Sequence, residues 1–151
     1  MPVTAEIIRG CMETICYEMA THVSLTATTP ILNQSNERNA TILDGRGALA
    51  ALSASAFRSS CSARRLPVRF ALEFFGADGL YDGDVLVAND PYHGGGHLPD
   101  YNIFAPVFHK GELVLIALDP VPPRRHRRRH AGRVQRRRAA TSGPRACAFR
   151  R

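Results

Sequence analysis

No apolar run in this chain of 151 residues approaches the roughly 20 residues that a membrane-spanning helix needs. The first residues also lack the basic-then-apolar order of a secretion signal, so the expected compartment is the cytoplasm, with no membrane partner. Cysteine is sparse. Cys11, Cys16, Cys61 and Cys147 show neither CxxC pairing nor zinc-type spacing, and free thiols are the expected state. Acidic residues are missing from residues 124–151, which hold 12 of the 20 Lys+Arg, every one of them Arg. The first 120 residues therefore carry eight basic against 13 acidic groups, a net charge of −5. The overall charge of +7 belongs to the tail alone.

The length suits one ordinary domain with a core. Thr4 is placed to cap a helix and Glu6 to favour its first turn. Ile8, Met12, Ile15 and Met19, flanked by Ile7, Cys11 and Cys16, predict an amphipathic helix over residues 4–21, its Met and Cys side chains serving as core packing. A polar loop follows from His22 to Glu37 and is placed to contact a ligand. Residues 40–43 and 48–52 read as two strands joined by Asp44-Gly45-Arg46-Gly47, a β-hairpin. Leu66-Pro67 opens a short helix with an apolar face of Phe70, Ala71, Phe74 and Phe75, and Gly76 ends it. Residues 84–88, 101–108 and 112–118 read as strands, the last two joined by His109-Lys110-Gly111. Helices mixed with mostly antiparallel strands make the fold class α+β (mixed α/β).

The stretch with most chemistry is Asn89-Asp90-Pro91-Tyr92-His93-Gly94-Gly95-Gly96-His97-Leu98-Pro99-Asp100. It places two imidazoles and two carboxylates in one loop. Such side chains bind divalent metals or move protons. Glycines permit close backbone approach and prolines hold their neighbours extended, so the loop reads as a shaped one. Asp90 can also cap its own turn, as Asp before Pro often does. The two histidines can instead hydrogen-bond loop backbone.

Residues 83–92, the Gly-Gly-Gly-His-Leu-Pro-Asp that follows, the N-terminal Pro2-Val3-Thr4-Ala5-Glu6-Ile7-Ile8 and the Ile42-Leu43-Asp44-Gly45-Arg46-Gly47 turn together resemble the hydantoinase B/oxoprolinase family. The resemblance covers residues 2–118, and full members are several times longer. It implies the truncated N-terminal part of a hydantoinase B-type domain over residues 1–118. The implied function is a role in ATP-dependent hydrolysis of cyclic amides such as 5-oxoproline and N-methylhydantoin. ATP would be bound by a hydantoinase A-type partner subunit or domain rather than by this chain. An acetone- or acetophenone-carboxylase-type subunit is the alternative within the same resemblance, and there a divalent metal is held by a His-x-x-Asp pair and a later His. His97 and Asp100 match that pair, with Asp90 and His93 beside them as the acid/base candidates. The site is incomplete in this chain, which is expected to be inactive alone.

The third ligand would come from a His-His-Ala-Asp-Ile-Gly-Gly segment of the family. Here the chain reads Pro122-Pro123-Arg124-Arg125-His126-Arg127-Arg128. Dropping the first base of the Pro122 codon gives codons that can encode the family segment. A smaller stretch behaves alike: Phe57-Arg58-Ser59-Ser60-Cys61-Ser62, reread from the last base of the Ala56 codon, can encode Ile-Pro-Gln-Phe-Met-Leu. Residues of about 55–65, and all of 119–151, are therefore expected to be frame-shifted, the latter as a disordered Arg-rich tail. Taken at face value, that tail is a nucleic-acid-binding arm, since clustered Arg neutralises phosphates. It carries no Lys and no helical pattern, so nucleic acid is expected only as an incidental partner. Without the strands they would pack against, Phe74, Phe104, Val114 and Ile116 are expected to present exposed apolar faces.

Overall fold

The computed structural model describes residues 2–27, 39–53, 65–90, 92, 101–121 and 146–149. Among the described residues two helices flank an antiparallel sheet, which agrees with the α+β expectation. Helix α1 spans Pro2–Thr26, strands β1 Thr41–Asp44 and β2 Leu49–Leu52 follow, and helix α2 spans Arg65–Phe75. After a single 3-10 turn, Ala77–Gly79, come β3 Val85–Ala88, β4 Tyr101–His109, β5 Glu112–Val121 and β6 Ala146–Phe149. The sheet order is β2-β1-β5-β4-β3-β6, with every neighbouring pair antiparallel.

Strand alternation sorts the core onto two faces. Leu43, Leu86, Ala88, Phe104, Ile116 and Leu118 lie on one, buried with Val68 and Ala71 of α2 and with Leu80. Ile42 and Ala51, one residue out of phase with Leu43, lie on the other and pack with Met12 and Cys16 of α1 and with Leu115. Adjacent residues of β1 thus serve opposite layers, as period-2 geometry requires.

α1 is longer than the apolar spacing suggested, and Thr4 lies inside it rather than at its cap, because the helix begins at Pro2. It docks from Met12 onward. Cys16, Ala20 and Ser24 are buried, whereas Val3, Ile7, Ile8 and Ile15 are exposed. The apolar residues are spread around the helix, and the β1–β2 hairpin covers just one side of it. Glu6 accepts a hydrogen bond from Arg9 Nη2 at 2.7 Å, and this bond holds the exposed guanidinium's pKa above its ordinary value.

The hairpin is held by its turn. The Asp44 carboxylate accepts from the backbone N–H of Arg46 (2.9 Å) and of Ala48 (2.7 Å), the pattern of an Asx turn. α2 agrees with expectation in its bounds, ending where Gly76 adopts φ 71°, but its buried side is Pro67, Val68 and Ala71. Phe74, expected on that apolar face, is half exposed. β4 and β5 turn through Lys110 (φ 52°) and Gly111 (φ 83°), and β5 continues past the expected end to Val121.

Two expectations are corrected. Phe104 and Ile116 are not exposed: they are 3% and 2% accessible because α2 and Leu80 cover them, while Phe74 and Val114 do stay exposed. The tail is not disordered throughout either. Ala146–Phe149 forms β6 against β3, with Val85 opposite Phe149 and Ala88 opposite Ala146. This segment is one of the few Arg-free stretches there, and an open strand edge offers its backbone a full set of partners. The rest of 122–151, like the frame-shift candidate over 55–64, lies outside the described residues.

Candidate functional site

The two ends of the sheet are chemically distinct. At one end β3 finishes at Ala88 beside Asn102, and β5 finishes at Val121 opposite Tyr101. Thr41, which opens β1, and Leu52, which closes β2, pair at this same end, and Ser53 N–H donates to Ala40 O at 3.0 Å just beyond them. The polar segment before Asn39, the 89–100 loop and the chain after Val121 are therefore all attached to one edge of the same sheet.

Of the four candidate residues in the loop, Asp90 is described. It is partly buried just past β3, and its Oδ1 accepts from Tyr92 N–H at 2.9 Å. That bond fixes the chain's first turn after the strand, so Asp90 shapes the loop entrance. His93, His97 and Asp100 lie outside the described residues. Among the described residues, no three His, Cys, Asp or Glu side chains come together as a metal centre would require. The described part of the site therefore does not by itself fit a metal ion.

Sequence reasoning missed two buried polar residues, one just before β3 and one beside its far end. Asp84 is 2% exposed at the start of β3; its Oδ2 accepts from Tyr81 N–H at 3.0 Å and ties the turn that launches the strand. Asn102, two residues after Asp100, is also 2% exposed, on the same face as Phe104. Its Nδ2 is buried with no hydrogen-bond acceptor. Alternation along β4 could have found it, because Asn102, Phe104 and Pro106 share a phase and all are buried.

An open cavity of about 610 Å³ lies at the other end of the sheet, lined by Gly45 and Arg46, by Arg69 and Glu73 of α2, and by Gly111 and Glu112 of the β4–β5 turn. It shares no residue with the loop end. Its charged groups are of both signs, so it is no concentrated anion or cation site.

The hydantoinase B/oxoprolinase profile matches residues 1–119. The B-type subunit of a D-/L-hydantoinase from Pseudomonas sp. (strain NS671) is 29% identical over 118 residues, which is 75% of this chain and 19% of that protein. The crystal structure of the ATP-dependent caprolactamase from Pseudomonas jessenii superposes with a TM-score of 0.60 at 26% identity, over 80% of this chain and 20% of that one. Nucleotide-free acetone carboxylase superposes with a TM-score of 0.72 at 19% identity, covering 80% and 16%, and so shares the fold. The chain thus spans about a fifth of the length of these relatives. With a profile match over residues 1–119, most of its length, the chain belongs to the hydantoinase B/oxoprolinase family.

Proposed function

We propose that this chain supplies the N-terminal part of a hydantoinase B-type protein that acts in ATP-dependent hydrolysis of cyclic amides, and that the 89–100 loop is its contribution to the active site. The observation that carries this reading is the attachment of that loop to the sheet end where β3, β4 and β5 meet, in a chain whose relatives include a hydantoinase and a caprolactamase. Both relatives are named for ring amides, which favours a cyclic amide over a ketone as substrate class. The acetone carboxylase likeness supports the fold and leaves the ketone reading second.

In this reading His97 and Asp100 hold a divalent metal and Asp90 and His93 assist as acid/base groups. The metal, when bound, would polarise a carbonyl oxygen. Two protein ligands hold such an ion weakly, because stable sites use three or four. ATP belongs to a hydantoinase A-type partner subunit or domain. Residues 119–151 are out-of-frame text, and the DNA across codon 119 tests that point directly: an uninterrupted frame without an indel in independent isolates removes it. The nucleic-acid alternative predicts DNA affinity that depends on residues 119–151 and prefers a sequence. The out-of-frame reading predicts salt-sensitive binding without preference.

The functional test is ligand binding rather than turnover. Saturation-transfer NMR on the full chain with 5-oxoproline, N-methylhydantoin, caprolactam and acetone should give signals for the ring amides. Those signals should weaken in His97→Ala and in Asp100→Ala. A response to acetone alone, or to none of the four, refutes the proposal.

A further inference from the structure

We infer that the open cavity at the turn end of the sheet binds a small zwitterion, an ω-amino acid whose carboxylate and ammonium are joined by a short aliphatic chain. Its volume of about 610 Å³ falls within the range of small-molecule sites, roughly 300–1,000 Å³. Leu72, Phe108 and Leu113, each partly buried against the core, supply an apolar lining. Two guanidiniums and three carboxylates complete it: Arg46, Arg69, Glu73, Asp78 and Glu112. Among the described residues the ion pairs are those of Arg9 with Glu6 and Glu13, so none of these five charges is neutralised by a neighbour.

The two arginines come from elements that meet. Gly47 adopts φ 78°, and the Arg69 stem lies against it, with Cγ 3.0 Å from where a Cβ would stand. Arg69 is thereby brought to the turn that carries Arg46, and two guanidiniums there favour a carboxylate. Further along, α2 carries the opposite sign. Glu73 stands in its last turn, and Asp78 follows in the 3-10 turn. Carboxylates at a helix C-terminus oppose the helix dipole, and both favour a cation beside them. Arg69 and Glu73 stand in the order less suited to pairing with each other along a helix. The four-residue step between them is about 6 Å of helix rise. An α-amino acid holds its two charged groups on one carbon, too close to meet both. A chain of several methylenes reaches both and covers Leu72, which lies between them in sequence. Such a molecule is also what hydrolysis of an unsubstituted ring amide leaves: the hydroxyl of water joins the carbonyl carbon, the C–N bond breaks and the nitrogen takes the proton. A role as product site rests on the proposed function, whereas the binding itself rests on the cavity alone.

The test titrates the full chain with 6-aminohexanoic acid and follows the ¹⁵N amide signals of Gly45 and Gly111, two glycines of the cavity lining. Three comparison probes each lack one feature: norleucine is the α-amino isomer, hexanoic acid has no ammonium, and caprolactam is the uncharged ring. The expected result is a saturable shift with a Kd on the order of millimolar, since the charged groups are exposed. Each comparison probe should bind at least roughly 3-fold more weakly, and so should 6-aminohexanoic acid to Arg69→Gln and to Glu73→Gln. Both replaced side chains are exposed, so the fold should survive. Absence of a saturable shift at the two glycines overturns the inference, as does equal binding of norleucine or hexanoic acid. Unchanged affinity in both variants overturns it too. None of these failures touches the reading of the 89–100 loop, whose ring-amide signals are lost in His97→Ala and kept in Arg69→Gln.

Discussion

Gly45 offers the sharpest test of how the sheet is assembled. It sits in the β1–β2 turn with its N–H donating to Val114 O at 3.0 Å, so the turn is stitched to β5. A Cβ added there would come 2.3 Å from Leu113 O, against an ordinary contact of 3.4–4 Å. The neighbour is backbone and cannot swing away. Gly45→Ala must therefore push the turn from β5 by about 1 Å, which breaks the Gly45–Val114 bond. Overpacking of this kind costs roughly 1–3 kcal/mol and the lost hydrogen bond about 1 kcal/mol more. The expected loss is about 3 kcal/mol, or roughly 10–20 °C in melting temperature for a domain of this size. Gly10→Ala is the control: nothing lies within 4 Å of its Cβ, it is inside α1, and the change should stabilise by up to about 1 kcal/mol. Urea and thermal unfolding followed by circular dichroism measure both. A Gly45→Ala chain within about 0.5 kcal/mol of wild type would refute the placement of the hairpin against β5.

Asp44→Ala should cost about 2 kcal/mol in urea unfolding, since two backbone N–H groups lose a carboxylate acceptor; a change under about 0.5 kcal/mol would dismiss the Asx turn as a stabilising element. Leu86→Ala removes a side chain 1% exposed between α2 and the sheet and should cost about 2–5 kcal/mol, with a value below about 1 kcal/mol arguing that α2 does not cover this face. Iodoacetamide labelling followed by peptide mapping should modify Cys11 quickly and Cys16 only as fast as the chain opens, because Cys16 is fully buried against Ile42 and Ala51. Equal rates would mean that α1 does not dock.

The local elements were legible because their signals are local. The turn residues Asp44 to Gly47 fix the first hairpin, Lys110-Gly111 supplies the positive φ of the second, and Pro67 and Gly76 bracket α2. What could not be read was which apolar surfaces find each other. Ile8 and Ile15 carry the same periodic signal as Cys16 and Met12, yet only the latter pair meets the hairpin. Phe104 and Ile116 are buried by α2, a helix distant in sequence, and Ala146–Phe149 joins β3 across an even longer separation. Such pairings depend on topology, which short windows do not carry. The site divides the same way. The motif itself stands out by composition, whereas Asn102 is noticeable only once its burial is known.

The register of β5 gives the proposed frame shift a functional consequence. Val121 pairs with Tyr101, so the chain departs from β5 beside the residue at which the His97–Asp100 loop rejoins the sheet. Any ligand encoded immediately after Val121 therefore starts at the loop end of the sheet, where the proposed pair of His97 and Asp100 would lack a third ligand. Shifting the frame by one base at codon 122 converts Pro122-Pro123 to codons that can read His-His. The shifted chain is expected to bind Mn²⁺ more tightly than the present one. The gain should at least match the roughly 10- to 100-fold that outer-shell partners supply to metal ligands, since a direct ligand contributes more. Electron paramagnetic resonance of free Mn²⁺ measures it, with His97→Ala in the shifted chain as the control that ties the gain to this loop. Equal affinity in the two frames would break the link between the loop and the segment after β5. A gain that survives His97→Ala would place the metal elsewhere.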